Sequence, residues 1–142
     1  MKNIIQWIVK PNHLMFHDLI LRLFVGGTMV YHGQGKLFNL EGTAQFFHSI
    51  GIEPPYFMAV IASFGEVFGG LMVMLGLFTR MGALANAASM VVAIIFLGWP
   101  NGFDARQGGI EYQATLLVIF IFIAVNGAGR FSVDKTLHKR LQ

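Results

Sequence analysis

The sequence predicts an all-α membrane protein, a bundle of four transmembrane helices in which neighbours along the chain run antiparallel. The first observation is composition, because hydrophobic residues make up 55% of the 142 residues and charged residues only 12%, with a mean hydropathy of +0.62. Soluble domains average about 25% charged residues. The second is four apolar stretches long enough to cross a bilayer, which takes roughly 20 helical residues. We expect spans at residues 15–38, 56–78, 81–99 and 110–126, within one domain covering residues 1–142.

The first two spans are separated by a predicted loop at residues 39–55. The first span opens with the apolar run "LILRLFVGGTMV" and closes with the more polar run "YHGQGKLF". The loop ends in "GIEPPYF". Its two prolines cannot continue a helix that enters from the preceding side, so they fix the start of the second span.

The remaining boundaries follow from turn chemistry. The linker "GLFTRMG" between the second and third spans is long enough only for a tight hairpin, and the third and fourth are separated by the glycine-rich loop "LGWPNGFDARQGG". After the fourth span, "NGAGRFSVDKTLHKR" ends the helix at glycines. Ser132 is predicted to cap a short basic helix in the tail at residues 130–142.

The distribution of basic residues predicts that both termini are cytoplasmic, because short cytoplasmic loops are enriched in lysine and arginine. The outer loops hold only Arg106, whereas the other side of the predicted bundle holds Lys2, Lys10, Arg80, Arg130, Lys135, Lys139 and Arg140. The net charge of +3 mostly reflects this bias and does not indicate a nucleic-acid partner.

Small residues at helical spacing predict close contacts between the helices. Gly65 and Gly69 lie four residues apart on the second span, a spacing that lets two helix backbones approach closely. Ala85, Ser89 and Ala93 form a similar stripe on the third span. We expect both stripes to pack the bundle.

Ionisable residues inside the predicted spans are the candidate functional residues, because charge is costly in a bilayer and usually lines a wet or protein-filled interior. Lys36 and Glu111 lie near the outer ends of the first and fourth spans, and His32 lies one helical turn below Lys36. We predict an outer ligand-binding pocket lined by His32, Gln34, Lys36, Glu66, Glu111 and Tyr112.

Glu66 lies deeper than the other candidates, about 15 Å from the outer end of its span, and Arg22 lies about 12 Å from the inner end of its own. Helix tilt would bring the two level. We predict an Arg22–Glu66 pair, or a protonated and hydrogen-bonded Glu66 if no cation reaches it. The alternative for Arg22 is a side chain that extends to the inner interface.

Several kinds of chemistry have no sequence support. The chain contains no cysteine, so a thiol half-reaction would need a partner protein. No haem, nucleotide or metal motif is present.

Taken together, these segments resemble the DoxX family of small bacterial membrane proteins. The resemblance rests on "YHGQGKLF", "SIGIEPP", "GEVFGGLMVMLGLFTRMGAL", "EYQ" and "GAGRFSVDKTL". The positions matching the family pattern are Arg22, Gly33, Lys36, Glu66, Gly70, Gly76, Arg80, Glu111, Tyr112, Gly127, Gly129, Ser132 and Asp134. Of these, we expect Gly33 and Gly70 to pack helices together, and we expect a structural charge or turn role for Arg22, Arg80, Ser132 and Asp134.

The resemblance also implies a four-helix protein of the bacterial inner membrane and a link to quinone-dependent sulfur oxidation or oxidative-stress complexes. The leading hypothesis is therefore a membrane subunit of a redox system that binds a quinone or another small amphiphile in the outer pocket. The alternative is a non-enzymatic scaffold that recruits soluble redox or stress proteins, and a small proton-coupled transporter is a third hypothesis. The expected partners are the lipid bilayer, such a soluble protein and a second copy of the chain.

Overall fold

The computed structural model describes residues 6–7 and 16–141, and this part of the chain is helical and holds no strand. The all-α prediction is confirmed, while the predictions about Lys2, Lys10 and the first residue of the first span lie outside the described residues. The helices are α1 (Phe16–Phe38), α2 (Leu40–Ser49), α3 (Pro55–Leu75), α4 (Thr79–Ala93), α5 (Glu111–Asn126) and α6 (Val133–Leu141).

The four longest helices overlap the four predicted spans. By length and apolar composition, two helical segments of the described chain qualify as membrane spans, Pro55–Leu75 and Thr79–Asn101. The first helix, α1, has 23 residues and includes charged side chains, and α5 is apolar but shorter, with 16 residues.

Two span boundaries differ from the sequence prediction for local reasons. Helix α3 ends at Leu75 rather than near Phe78, because Gly76 adopts a left-handed conformation with φ of 67° that stops the helix. Helix α4 then begins at Thr79 and ends at Ala93, where a π-helical turn (Ile94–Gly98) and a 3-10 turn (Trp99–Asn101) continue it. We name this end of the bundle the outer end, and the opposite end the inner end, after the orientation predicted from the sequence.

Helix α2 replaces much of the segment that we expected to be a loop at residues 39–55. Its N-cap is Asn39, whose side chain accepts a hydrogen bond from the Gly42 amide at 3.1 Å. On its inner face Ala44 and Phe47 are buried and cluster with Ile52. The helix therefore covers the outer end of α3.

Glycines bring the long helices into backbone contact. A Cβ added to Gly70 would lie 2.6 Å from the carbonyl oxygen of Gly26, which places the two residues where α1 and α3 cross. Likewise, a Cβ on Gly82 would lie 2.7 Å from the Gly69 oxygen, where α3 and α4 cross. Gly65, which we expected at a helix crossing, has no such neighbour within 4 Å.

The buried core and the exposed surface are both apolar. The core contains Val25 and Met29 from α1 and Phe120 from α5, packed with side chains of α3 and α4. On the outside, Phe24 is 75% exposed and Val125 is 67% exposed. A belt of large apolar residues outside a packed core is typical of a protein whose surface contacts lipid.

Two adjacent glycines of α1 provide a test of the crossing with α3. We expect Gly26→Ala to lower the free energy of unfolding by about 1–3 kcal/mol, because its Cβ would lie 2.7 Å from the backbone oxygen of Gly70. Gly27→Ala is the matched control, since nothing lies within 4 Å of its Cβ and alanine favours the helix by about 1 kcal/mol. Thermal unfolding in detergent compares them, and equal stability of both variants would contradict the crossing.

Candidate functional site

An apolar cavity of about 350 Å³ lies between α2, α3 and the outer half of α4 with its π-helical continuation. The side chains around it are almost all hydrophobic. The lining residues are Lys36, Phe46, Phe47, Ile50, Ile52, Met58, Ile61, Ala62, Gly65, Glu66, Ala85, Ala88, Ser89, Val92, Ala93, Phe96 and Leu97.

Small residues keep this space open. Gly65 has no side chain and nothing lies within 4 Å of where its Cβ would be, and Ala85, Ser89 and Ala93 face the same cavity from α4. The stripe that we expected to pack two helices together therefore forms the cavity wall. The missing side-chain volume leaves room for a ligand.

The charged part of the cavity wall is an ion pair between Lys36 of α1 and Glu66 of α3. The Lys36 ammonium donates a hydrogen bond to Oε1 of Glu66. Glu66 is only 3% exposed, and its other oxygen, Oε2, has no hydrogen-bond partner within the described part of the chain. Buried acceptors are normally satisfied, so the Glu66 carboxylate in the cavity wall has capacity for a further hydrogen bond from a donor.

Helix packing fixes the position of the ion pair. A Cβ added to Gly33 would lie 2.8 Å from the Cβ of Glu66, so α1 and α3 are in close contact at this level. Lys36 follows Gly33 by three residues and therefore lies on nearly the same face of α1. The contact at Gly33 holds the Lys36 side chain within reach of the carboxylate.

The predicted Arg22–Glu66 pair is wrong. Nε of Arg22 donates to the Asp18 carboxylate at 2.8 Å. Its remaining donors bind backbone carbonyls, those of Val73 at 3.1 Å, Met74 at 3.3 Å and Phe131 at 2.6 Å. The physical reason is that the last turn of α3 leaves carbonyl oxygens without helical partners, and a guanidinium satisfies several at once. Arg22 is 0% exposed, so the alternative in which it extends to the interface is also wrong.

The other predicted structural residues lie near Arg22. The Asp134 carboxylate accepts hydrogen bonds from the amides of Phe78 at 2.7 Å and Thr79 at 3.0 Å, and thereby caps the start of α4. Oγ of Ser132 accepts from the Lys135 amide at 3.3 Å, which confirms the predicted cap of α6. These contacts tie the segment after α5 to the inner end of the bundle.

Arg80 joins α4 to two other parts of the chain at the same end. Its guanidinium donates to the carbonyl oxygen of Ala124 at 2.8 Å and lies 4.9 Å from the centre of the Trp7 ring. Both contacts are typical of a positively charged side chain that stabilises the packing of separate segments.

The remaining residues of the predicted pocket do not line the cavity. His32 and Tyr112 face each other, with Nε2 and Oη 3.5 Å apart, and the side chain of Gln34 is exposed. Glu111 accepts a hydrogen bond from the Ala105 amide at 3.1 Å. The structure thus brings Lys36 and Glu66 together and places the other four residues elsewhere.

The outer loop is held by its own carboxylates. Asp104 caps the 3-10 turn Ala105–Gln107 by accepting from the Arg106 amide at 2.9 Å. Hydrogen bonds from Arg106 also hold the pKa of Asp104 below its ordinary value. The carboxylate therefore takes up its proton at a lower pH than an ordinary aspartate does.

Sequence reasoning missed the residues that close the cavity, Phe46 and Phe47 of α2 and its C-cap Ile50. Their signal was present in the short amphipathic segment that follows Asn39, a residue that favours helix starts. The pairing of Asp18 with Arg22 also had a signal, because the two are four residues apart on one helix face.

We expect Asp134→Ala to lower the free energy of unfolding by about 2–4 kcal/mol, because two backbone amides at the start of α4 lose a charged acceptor. Thr136→Ala, at an exposed position of the same helix, is the control and should have little effect. Thermal unfolding followed by circular dichroism measures both. If the two variants unfold at the same temperature, Asp134 is not the cap that the structure indicates.

Comparison with known proteins identifies the family of the chain. A family model described as DoxX matches residues 17–99. The chain is 35% identical over 121 residues to a Bacillus subtilis (strain 168) protein called "Putative oxidoreductase CatD", covering 85% of this chain and 87% of that protein. It is 27% identical over 125 residues to the "Inner membrane protein YqjF" of Escherichia coli (strain K12), covering 86% and 92%. No solved structure matches it significantly. From the family match and these relatives, the chain is a membrane protein that belongs to the DoxX family.

Proposed function

We propose that this protein binds a quinone, or a closely similar small amphiphile, in the cavity between α2, α3 and α4, as a membrane subunit of a redox or oxidative-stress system. One observation carries the proposal. An otherwise apolar cavity contains a buried ion pair, Lys36 with Glu66, and one oxygen of that carboxylate lacks a partner among the described residues. An apolar space with a few converging polar groups is the usual form of a small-molecule site.

The residues present fit such a ligand. A volume of about 350 Å³ lies at the lower end of the range for ligand sites, about 300–1,000 Å³, and suits a substituted ring with the first part of a tail. The Lys36 ammonium has three N–H donors, of which Glu66 takes one, so Lys36 can also bind an oxygen of the head group. When bound, a quinone would supply two-electron, two-proton chemistry.

The comparisons support a redox role without assigning one to this chain. One relative is called an oxidoreductase. Because this chain contains no cysteine, the electron donor or acceptor in such a system would belong to another protein or to the membrane quinone pool.

We propose four membrane crossings in the bacterial inner membrane, with both termini cytoplasmic. The 23 residues of α1 span about 35 Å, more than the roughly 30 Å of a bilayer core. The shorter α5 exposes Val118, Ile121, Phe122 and Val125, which repeat at helical spacing and form a lipid-facing stripe. Local thinning of the bilayer accommodates a short span at modest cost.

Single cysteines test this orientation without background, because the chain contains none. In intact cells, we expect a membrane-impermeant maleimide to label Arg106→Cys, in the loop between α4 and α5. We expect it to label Lys139→Cys, in α6, only after the membrane is opened. The unmodified chain is the control. Labelling of both cysteines from one side would contradict the orientation.

Binding of a short-tailed benzoquinone, decylbenzoquinone, tests the site. We expect Lys36→Met to weaken binding to the purified protein in lipid nanodiscs by about 10-fold to 100-fold, because it removes a charged donor. Lys139→Met, on the exposed part of α6, is the matched control. Empty nanodiscs measure partition into lipid.

Three results would contradict or change the proposed binding site. Equal binding by the wild type and Lys36→Met would exclude this cavity. Weakening by Glu111→Gln alone would move the site to the outer loop. If the wild type does not bind the quinone above partition into lipid, the proposal fails, and the scaffold alternative, which rests on the basic residues near α6, takes its place.

A further inference from the structure

We infer that the cavity selects head groups that both donate and accept hydrogen bonds, so that it binds a quinol or another phenolic amphiphile more tightly than the corresponding quinone or ether. The inference rests on the proposed function and goes one step further, from the presence of a ligand to its chemical form. It depends on which hydrogen-bond donors and acceptors of the cavity already have partners within the protein.

The first step concerns Glu66. As the partner of the Lys36 ammonium, Glu66 is a carboxylate, which accepts hydrogen bonds and donates none. Lys36 occupies Oε1, while Oε2 is buried and without a partner in the described chain. Because Glu66 lines the cavity, a ligand there can add a hydrogen bond to this carboxylate only if it brings a donor.

The second step concerns the rest of the cavity. Among the lining residues that the structure describes, Lys36, Glu66 and Ser89 alone have polar side chains. A polar head group therefore binds most favourably against the ion pair, where it can form hydrogen bonds. The apolar part of the ligand then fills the remaining space. No other lining side chain competes for it with a formal charge.

The third step compares the head groups. A hydroxyl can donate to the Glu66 carboxylate and accept from a remaining N–H of Lys36. A carbonyl or ether oxygen can only accept, so it binds Lys36 and makes no hydrogen bond to the carboxylate. The loss of one hydrogen bond to a charged group corresponds to a difference in affinity of about tenfold or more. The ion pair thus discriminates between the reduced and oxidised forms of the same ring.

The opening of the cavity fits a ligand that arrives from the lipid. Ile61 of α3 and Phe96 of the π-helical turn are 49% and 38% exposed, and both line the cavity. Ala88 of α4 lines it as well and is exposed. These residues belong to the lipid-facing surface, so the tail of an amphiphile can remain in the bilayer while its head group reaches Glu66.

Two redox-inert probes of nearly equal shape test the selectivity, 4-nonylphenol and its methyl ether 4-nonylanisole. Binding to the full chain in nanodiscs is measured relative to empty nanodiscs, which corrects for partition. We expect the wild type to bind the phenol about tenfold more tightly than the anisole. Glu66→Gln should reduce this ratio to near one, because the amide can donate to the ether oxygen. Glu41→Gln, an exposed acid of α2 outside the cavity, should keep the wild-type ratio.

The outcomes separate the selectivity from the proposed function. Equal affinity of the wild type for both probes, with binding well above partition, would overturn the selectivity while leaving an amphiphile site in place. A preference that persists in Glu66→Gln would overturn the assignment to Glu66. Binding of neither probe, together with none of decylbenzoquinone, would overturn the proposed function itself. If Glu66→Gln does not fold, the ratio measured on the wild type still decides.

Discussion

Charge buried in an apolar bundle must be paired, and this constraint organises both ends of the molecule. At the inner end, Arg22 is fully buried and is satisfied by Asp18 and by backbone carbonyls of α3 and the segment after α5. Asp134 is equally buried and is satisfied by the first amides of α4. Removing one partner from such a set leaves a buried charge without compensation, which is strongly destabilising. These contacts therefore fix how α1, α3 and α4 meet.

The outer ion pair follows the same constraint but is left incomplete. Lys36 compensates the charge of Glu66, yet the second carboxylate oxygen remains unsatisfied among the described residues. The Glu66 side chain lines a cavity that is open because the facing positions on α3 and α4 are glycine, alanine and serine. At the inner end, Nε of Arg80 and Oγ1 of Thr79 also lack a partner among the described residues. Glu66 differs because its side chain also lines a cavity, which makes the outer pair a candidate binding site.

The sequence was sufficient to predict the helices and the residues that carry buried charge, because apolar length and ionisable side chains are both visible along the chain. It was not sufficient to predict the partners. Depth along a helix placed Arg22 and Glu66 at similar levels, but rotation about each helix axis decides which side chains meet. Glu66 faces α1 where Gly33 allows close approach, and Lys36 is the cation on that face. The Arg22 side chain lies at the end of α3, where it donates hydrogen bonds to the backbone carbonyl oxygens of Val73 and Met74.

The cavity could not be predicted for a different reason. A stripe of small residues allows two helices to pack closely in one fold and leaves a cavity in another. Which of the two occurs depends on whether side chains from other elements fill the space beside the stripe. Here α2 spans the outer end of α3, and its Phe47 packs with Ile52 and Ala59 rather than filling the gap beside Gly65. Helix α2 is itself short and amphipathic, a pattern that a sequence shares with many surface loops.

Native mass spectrometry of the full chain, extracted gently from its own membranes, shows directly whether the outer ion pair holds a ligand. We expect the wild type and Lys139→Met to retain one small amphiphile of quinone or quinol mass, and Lys36→Met to lose it while keeping its helical content. Bare protein, or only bulk phospholipid on all three, would contradict the claim that the outer ion pair holds a ligand.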